Sequence, residues 1–560
     1  MIGKVPISRL SLWKLDDRSK ALAERVPCSV LTALLLGMRG VSEQNVSEAR
    51  AWLRPDLDDS LERVALGTSS REAAILWRKM EGAERVVVYG DYDVDGACAT
   101  TLAMELALAS FREVRYFIPH RHREGYGVHE NIVRNIARNG CDLLIAVDCG
   151  TRDMNALKAA RDMGVPVIVF DHHVPGDSLP EGAVVVNPHA GGDDVSRTLC
   201  GTGVLWVWAR KEKIAPSGWL AGRTDLVALA TLADHVPLGS LNRGLVSSGM
   251  EAIRLAQRRG LRSLLSAIGT DCQSVDEEIL VMKVIPCLNA AGRLGLADIS
   301  VEVLLGGTGL ENNILELVRL NRKRQSLSGE ILEDVLPRVS GGESLVLSDF
   351  SWPVGVLSGV ASRICSETGL PVALASLSGD HVRGTLRVPP GVDALDVLDR
   401  LSSGLLTWGG HRFAAGFSVP VDGWQEVRVK MEEMLFSLKP VPELLQAIEI
   451  SPGDLTEKEI RSMSELGPFG SANPHPVFFS PASGSVTFEP LGRDGKHLRV
   501  HNGGFEFLAF GGAPISGCIL DSLGWTYRPR INKWQGRSRV DLVIGSIVVS
   551  DGFVMEGCDS

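Results

Sequence analysis

The sequence predicts an α/β protein: a parallel-sheet domain, a second α/β domain and a C-terminal β-rich module patterned like a small barrel. Three observations carry this expectation. Between residues 85 and 170 short β-branched runs alternate with amphipathic stretches. The alternation starts again near residue 344, and beyond residue 486 it gives way to strand-like runs separated by glycine-rich turns. Strands alternating with helices build a parallel sheet covered on both faces, whereas closely spaced short strands close into barrels or sandwiches.

The length agrees, since 560 residues exceed one core and about 100–200 residues per domain gives three or four units. Residues 1–83 read as a helical lead-in, with apolar positions at helical spacing through Val30–Met38 and 73–80. Strands are expected at Arg85–Tyr89, Leu143–Val147 and 165–170, with helices at 97–110 and 155–163. Thr224–Ala233 reads as a helix running into a polar turn at Asp234. A long helical stretch over 312–335, carrying Arg322, Lys323 and Arg324, could join two domains. The second α/β unit begins with a strand at 344–347, a helix at 355–366 and a strand at 371–374, and a proline-containing link follows at 439–442. Strands then recur at 486–488, 497–500, 505–510 and 540–549. The expected division is a lead-in (1–83), a catalytic domain (84–300), linking helices (301–340), a second α/β domain (341–440) and the β-rich module (445–560).

Composition narrows the class. The chain is 44% hydrophobic and 22% charged, as ordinary globular proteins are. Its N-terminus lacks the uninterrupted apolar core of a signal peptide, and no apolar run reaches the ~18 residues of a membrane helix. A cytoplasmic protein without a membrane partner is therefore expected. The ten cysteines include no Cys-x-x-Cys pair, so they read as small buried residues and not as a zinc site or disulfide frame. A net charge of −10 argues against indiscriminate coating of nucleic acid, but local patches govern phosphate binding more than the sum does.

The carboxylates carry the chemistry. The first strand ends at Tyr89 and runs into Gly90-Asp-Tyr-Asp-Val-Asp-Gly96; the second ends in Asp148-Cys-Gly150 and the third in Asp171-His-His173. Ligands of open parallel sheets bind outside the carboxyl ends of the strands, so three strands deliver acidic and imidazole groups to one rim. Each fragment alone has a plainer reading. An Asp after a strand commonly caps a helix or forms a turn, and Asp-x-Asp-Gly occurs in calcium loops, although the downstream Glu of an EF-hand is missing here. Three coincident strand ends favour a shared site. Carboxylates with one or two imidazoles suit Mn²⁺ or Mg²⁺, and so many acids together would repel without cations between them. The expected chemistry is two-metal phosphoester hydrolysis, in which a pair of ions activates a water and clamps the attacking and leaving oxygens.

These segments, with Asp234 in Leu229-Ala-Thr-Leu-Ala-Asp-His235, resemble the four ordered motifs of the DHH phosphoesterases, and the Gly-Asp-Tyr-Asp-x-Asp-Gly form is similar to the RecJ-type exonucleases among them. The resemblance runs from about residue 86 to 549. It implies that Asp93, Asp95, Asp148, His172 and Asp234 hold two Mn²⁺ or Mg²⁺ ions, with Asp148 bridging. Asp91, Asp171 and His173 would then orient ligands or water. The loop Pro119-His-Arg121-His-Arg-Glu-Gly-Tyr126-Gly127 resembles a RecJ loop that grips a DNA phosphate, which singles out Arg121 and Tyr126, and a planar guanidinium suits such a grip. Asn289-Ala-Ala-Gly-Arg293 matches a further RecJ signature and implies that Arg293 lies near the scissile phosphate. In the DHH-associated domain the resemblance implies substrate contacts from Ser362, Arg363, Thr385 and Arg387, the last two on a 5′-phosphate, and from Gly409, Gly410 and His411 of a Gly-Gly-His loop. Read alone, Gly-Gly-His is more often a turn, and the basic loop around Arg121 could be simple surface.

Two departures stand out. The segment Trp352-Pro-Val-Gly355 lacks the family's frequent His, and Leu466-Gly-Pro-Phe-Gly-Ser-Ala-Asn-Pro474 has Ala472 where Gly is usual. Near the C-terminus Trp525, Tyr527 and Trp534 interleave with Arg528, Arg530, Lys533, Arg537 and Arg539, and no acid occurs over 522–540. That pattern fits the stacking platform and positive groove of an oligonucleotide-binding (OB) barrel, or equally half-buried strand aromatics with solvated charges. The expected function is 5′-to-3′ exonuclease action on single-stranded DNA, releasing mononucleotides in repair and recombination, by a monomer supplied by a helicase and a single-strand-binding protein. The alternatives are a phosphodiesterase of short or cyclic oligonucleotides, for which the later domains would be surplus, and an inactive DNA-binding scaffold, for which the acidic motifs should be eroded.

Overall fold

The computed structural model describes residues 2–551 apart from 122, 440–443, 493 and 535–536, and the side chains at 533, 534 and 537 are also not described. Residues 440–442 of the proline-containing link and the side chains of Lys533, Trp534 and Arg537 thus lie outside the described residues. The chain divides into two compact units, one of Arg54–Ser326 with Gly467–Pro474, the other of Met1–Leu53, Leu327–Leu466 and His475–Ser560.

The first unit is built on a five-stranded, wholly parallel sheet. Its spatial order is Glu113–Phe117, Arg85–Tyr89, Leu143–Val147, Val167–Phe170, Ala183–Val186. Alternate residues feed two cores. Val86, Val88, Leu143, Ile145, Val147, Ile168 and Phe170 enter one, while Leu144, Ala146, Val167 and Val169 enter the other. Burial on both faces explains why the strands read as continuous apolar runs. Helix Val94–Ser110 packs in the first core with Gly201–Lys211 and Thr224–Ala233; Glu130–Arg138 and Met154–Asp162 cover the second. The order reverses between Arg85–Tyr89 and Leu143–Val147, so successive connections leave in opposite directions and open a crevice at the carboxyl ends of those two strands.

Helix Leu310–Ser340 is longer than its sequence pattern suggests. Leu310, Ile314, Leu317 and Leu320 enter the core of the first unit, and Ile331, Leu332, Val335 and Val339 a core of the second. The basic residues 322–324 separate these two stripes.

The second unit holds two sheets. One has five strands in the order Thr407–His411, Ala414–Pro420, His381–Arg387, Val372–Ser378, Val346–Ser348, with helix Val354–Thr368 in the same core. The other is a nine-stranded mixed sheet that contains the OB-like strands from Leu445–Glu449 to Arg537–Val549. It also corrects the expectation of a purely helical lead-in. Gly3–Pro6 pairs in parallel with Arg537–Val549, and Leu10–Trp13 with Leu445–Glu449. Four-residue strands whose partners lie more than 400 positions away leave no local periodicity to read. From Asp17 onward the lead-in is helical.

The aromatic platform expected at Trp525 and Tyr527 is not there. Both side chains are fully buried, their rings packed on Phe507, and Tyr527 also meets Phe478. They are core residues, whereas Arg528, Arg530 and Arg539 on the same hairpin are exposed.

Candidate metal centre

The acidic loop occupies the crevice. Asp93 is the N-cap of helix Val94–Ser110 and accepts from the Gly96 N–H at 3.0 Å. Asp95, the second residue of the helix, meets a second helix end-on. Its carboxylate accepts from the N–H groups of Gly201 (2.6 Å) and Thr202 (2.8 Å) and from the Thr202 hydroxyl (2.6 Å). An anion suits that position because the first N–H groups of Gly201–Lys211 have no partner within their own helix. Gly201 is required by the close approach: a Cβ there would lie 2.5 Å from Asp148 Oδ1. At the other flank Gly292 packs directly against the Tyr92 carbonyl, which brings the end of helix Ile285–Arg293 and its expected residues Asn289 and Arg293 to the acidic loop.

Asp148 leaves its strand with φ +59°, left-handed for a non-glycine residue, and such backbone strain concentrates at functional sites. Its N–H donates to the Phe170 carbonyl at 2.8 Å. His172 Nε2 stands 3.4 Å from Asp148 Oδ1, 3.7 Å from Asp234 Oδ2 and 3.9 Å from Asp95 Oδ2. Asp234 is the C-cap of Thr224–Ala233.

Asp171 has a different job. It is buried and accepts from the N–H groups of His172 (2.7 Å), His173 (3.1 Å) and Thr151 (3.0 Å), and it lies 2.8 Å from His173 Nδ1. It therefore sets the path of the His-His pair and the ring of the second. Tyr126 completes the frame, its hydroxyl 2.9 Å from His173 Nδ1 and 3.3 Å from the Asp148 carbonyl. Asn187 donates to the His173 carbonyl at 2.8 Å and to the Thr151 hydroxyl at 2.9 Å. The sequence reading missed Gly201, Thr202, Thr151 and Asn187. The run Cys200-Gly-Thr-Gly203 ahead of an apolar helix was the available signal for the first two.

The electrostatics are those of carboxyl groups crowded together in a buried site. Burial, then the neighbouring carboxylates, push Asp91, Asp93 and Asp148 above the usual carboxylate range and Asp234 up to about 8. Burial acts the same way on Asp171, but the hydrogen bond and charge of His173 outweigh it and hold that carboxyl low. Burial likewise opposes a charged His173, whose bond to Asp171 lifts it to about 9, whereas burial holds His172 below the ordinary imidazole value.

The donor set fits divalent ions. Asp91 Oδ1 and Asp148 Oδ1 are buried without a hydrogen-bond partner, a costly arrangement for carboxylates unless a cation satisfies them. Three overlapping groups have ligand atoms within 4.8 Å of one another: Asp91, Asp93 and Asp148; Asp148, His172 and His173; Asp95, His172 and Asp234. Asp148 and His172 each belong to two of them. All-oxygen-and-imidazole donors favour Mn²⁺ or Mg²⁺ over a thiolate-preferring metal. Arg121 stands beside the cluster, its guanidinium 4.9 Å from the Tyr92 ring centre.

The candidates of the other unit form their own group. Arg387 donates to the hydroxyls of Ser362 (2.8 Å) and Thr385 (2.9 Å). Strand register places Thr385, Gly416 and Gly409 in one row and Arg387, Ala414 and His411 in the next. Paired residues share a face, so Arg387 and His411 flank an open floor made by Ala414. Gly410 has φ +149° and sits against the Ala414 carbonyl, where a side chain would clash. Arg363 does not join this group, because it pairs with Glu367 along its own helix at 2.8 Å.

Comparison with known proteins agrees. Residues 85–231 match the DHH family N-terminal domain, 341–435 the DHHA1 domain and 447–546 the RecJ OB domain. The chain is 31% identical over 562 residues to the single-stranded-DNA-specific exonuclease RecJ of Dickeya dadantii, spanning 91% of this chain and 94% of that protein. It is 34% identical over 527 residues to that of Escherichia coli, spanning 84% and 89%. The crystal structure of RecJ in complex with Mn²⁺ from Thermus thermophilus superposes with a TM-score of 0.81 at 27% identity, covering 98% of this chain and 81% of that one. The Mg²⁺ complex from the same organism gives 0.76 at 26% identity, covering 98% and 80%. With intact acidic motifs, all three domain types and this extent of identity, the chain belongs to the RecJ family of DHH proteins.

Proposed function

We propose that this protein is a metal-dependent exonuclease that degrades single-stranded DNA from its 5′ end and releases mononucleotides. The observation that carries the reading is the pair of buried, unpartnered carboxylate oxygens of Asp91 and Asp148 inside the acidic and histidine cluster. Two divalent ions bound there supply Lewis acidity, activating a water and neutralising the phosphoryl oxygens. Asp93, Asp95, Asp148, His172 and Asp234 hold them, and Asp91 and His173 orient ligand and water. Asp171 acts through the His-His pair, fixing its backbone and the ring of His173. Arg121 and Arg293 offset phosphate charge, and Tyr126 keeps His173 and Asp148 in register.

In the other unit Thr385, Arg387 and Ser362 suit a terminal 5′-phosphate, with Gly409, Gly410 and His411 beside it. Water adds to phosphorus and the P–O3′ bond breaks. The released nucleotide keeps its 5′-phosphate, and the shortened strand gains a new one for the next cycle. Within this reading the domains divide at residues 84, 301, 341 and 445. The enzyme acts as a cytoplasmic monomer in repair and recombination, on strands exposed by a helicase and covered by a single-strand-binding protein. Among the described residues no single helix is long and apolar enough to cross a membrane.

The test is digestion of end-labelled single- and double-stranded DNA with Mn²⁺, with and without a 5′-phosphate, beside an Asp234→Ala control. Mononucleotides from the single strand, absent in the control, support the reading. DNA that is bound but intact would indicate a scaffold, and cleavage of di- and trinucleotides alone a small-substrate phosphodiesterase.

A further inference from the structure

The hairpin that carries His411 ends in a two-residue turn, Arg412-Phe413, between the paired residues His411 and Ala414. A phenylalanine at such a tip has no core to fill, and this one is 48% exposed. Its backbone is nevertheless anchored. The Phe413 carbonyl accepts from the Val388 N–H at 3.2 Å and the Arg412 carbonyl from the Ala394 N–H at 2.7 Å, so the segment after strand His381–Arg387 pins both turn residues. The Arg412 guanidinium lies 5.6 Å from the Phe413 ring centre. A large apolar ring is thus held in water, one residue from the row of Arg387, Ala414 and His411. That row spans two strand spacings, roughly 10 Å from Arg387 to His411.

We propose that Phe413 is the stacking platform for the base of the 5′-terminal nucleotide, with Arg412 adding a cation against the same π-system. This inference rests on the exonuclease reading above, which assigns the neighbouring row to the terminal phosphate, and it adds a base subsite to it. A phosphate held by Arg387 and His411 leaves its own sugar and base within one nucleotide's reach, and Phe413 is an exposed aromatic ring two residues beyond His411, in the turn. Stacking accepts any base because every base has a π-face, so the subsite strengthens binding of the end without reading sequence. It also selects against ends that lack a base.

The experiment compares Phe413→Ala and Phe413→Trp with the wild-type enzyme on two 5′-phosphorylated oligonucleotides, one ordinary and one whose first nucleotide is an abasic tetrahydrofuran. Loss of one stacked base corresponds to roughly a 5- to 150-fold change in affinity. On the ordinary strand Phe413→Ala should therefore raise KM by at least about fivefold with little change in kcat. On the abasic-ended strand the two enzymes should be equal, and Phe413→Trp should restore the ordinary KM. A folding defect would penalise both substrates alike, so an equal loss on both, or no loss on either, overturns the subsite while leaving the exonuclease reading intact. A wild-type enzyme that leaves the ordinary strand undigested overturns both.

Discussion

Replacing Gly201 by Ala tests whether the metal centre depends on the approach of a helix that the acidic motifs do not contain. The new Cβ would lie 2.5 Å from Asp148 Oδ1 and 2.9 Å from Asp148 Cβ, where ordinary contact begins near 3.4 Å. The carboxylate must then retreat by roughly 0.9 Å, or the helix must withdraw and lengthen the 2.6 Å bond from Gly201 N–H to Asp95. Asp148 has little freedom to yield, because its backbone is left-handed and tied to Phe170. Misplacement of a reacting group by about 1 Å costs on the order of 100-fold in rate. Stability should move much less. Overpacking costs about 1–3 kcal/mol, against which Ala gains up to about 1 kcal/mol over Gly in a helix. The assay is kcat on labelled single-stranded DNA across a Mn²⁺ titration, with thermal unfolding in EDTA as the control for folding. A variant within threefold of wild type in both kcat and Mn²⁺ dependence would refute the argument that this contact sets the geometry of Asp148.

Other outcomes follow from the same geometry. Asp148→Asn keeps the shape and tolerates the left-handed backbone; it should cut metal-dependent cleavage at least about 100-fold, more than loss of an outer-sphere partner. The same change should raise the melting temperature of the metal-free protein at alkaline pH, because it removes a carboxyl whose charged form is opposed by burial and by Asp95, Asp93 and Asp91; a lower value in EDTA would contradict this. Asp234, lifted to about 8 by burial and by Asp95 and Asp93, has an unfolded value near 3.9. The folded state therefore binds more protons, and the stability of the metal-free protein should decline as pH rises from about 4 through 8. Mn²⁺ should reverse the decline and bind more tightly as pH rises, since its ligands must lose protons; a melting temperature in EDTA that is flat or rising over that range would count against it. Ala472→Gly should raise the melting temperature, because Ala472 is exposed with φ +59°. Relief of about 1–2 kcal/mol of strain outweighs the roughly 0.4–1 kcal/mol that Gly adds to unfolded-state entropy, and unchanged or lower stability would show that the turn is not strained.

Ala472 also measures how far the sequence could be read. Its departure from a family glycine was visible, and a change in a turn was the natural inference. The left-handed φ shows why Gly is usual there. The surrounding contacts show why the segment matters: Leu238 N–H donates to Ser471, Phe469 N–H to Glu277, and buried Arg243 to the Gly467 carbonyl. This stretch packs against the residues that follow Asp234, although its flanks belong to the other unit. No local pattern announces that. The C-terminal aromatics taught the converse. Alternation with basic residues gave Trp525 and Tyr527 two readings, and Phe478 and Phe507, packed from other strands, decided for the core.

The sequence by itself determined the parallel sheet of the first unit and the rim where Asp91, Asp93, Asp95, Asp148 and the Asp171-His-His173 triplet meet. Both depend on short-range rules, namely the period of apolar residues and the delivery of strand ends to one edge of a parallel sheet. Tertiary structure alone decided which carboxylates are occupied by N–H groups and which are not, so that Asp91 and Asp148 each keep a buried oxygen without a hydrogen bond while Asp171 is committed to the histidines. It also decided that Arg363 turns to Glu367 and that the N-terminal strands Gly3–Pro6 and Leu10–Trp13 join the C-terminal sheet. The physical reason is common to all of these. A carboxylate's protonation and a strand's partner are set by groups brought close in space from distant parts of the chain, and a one-dimensional pattern does not encode that proximity.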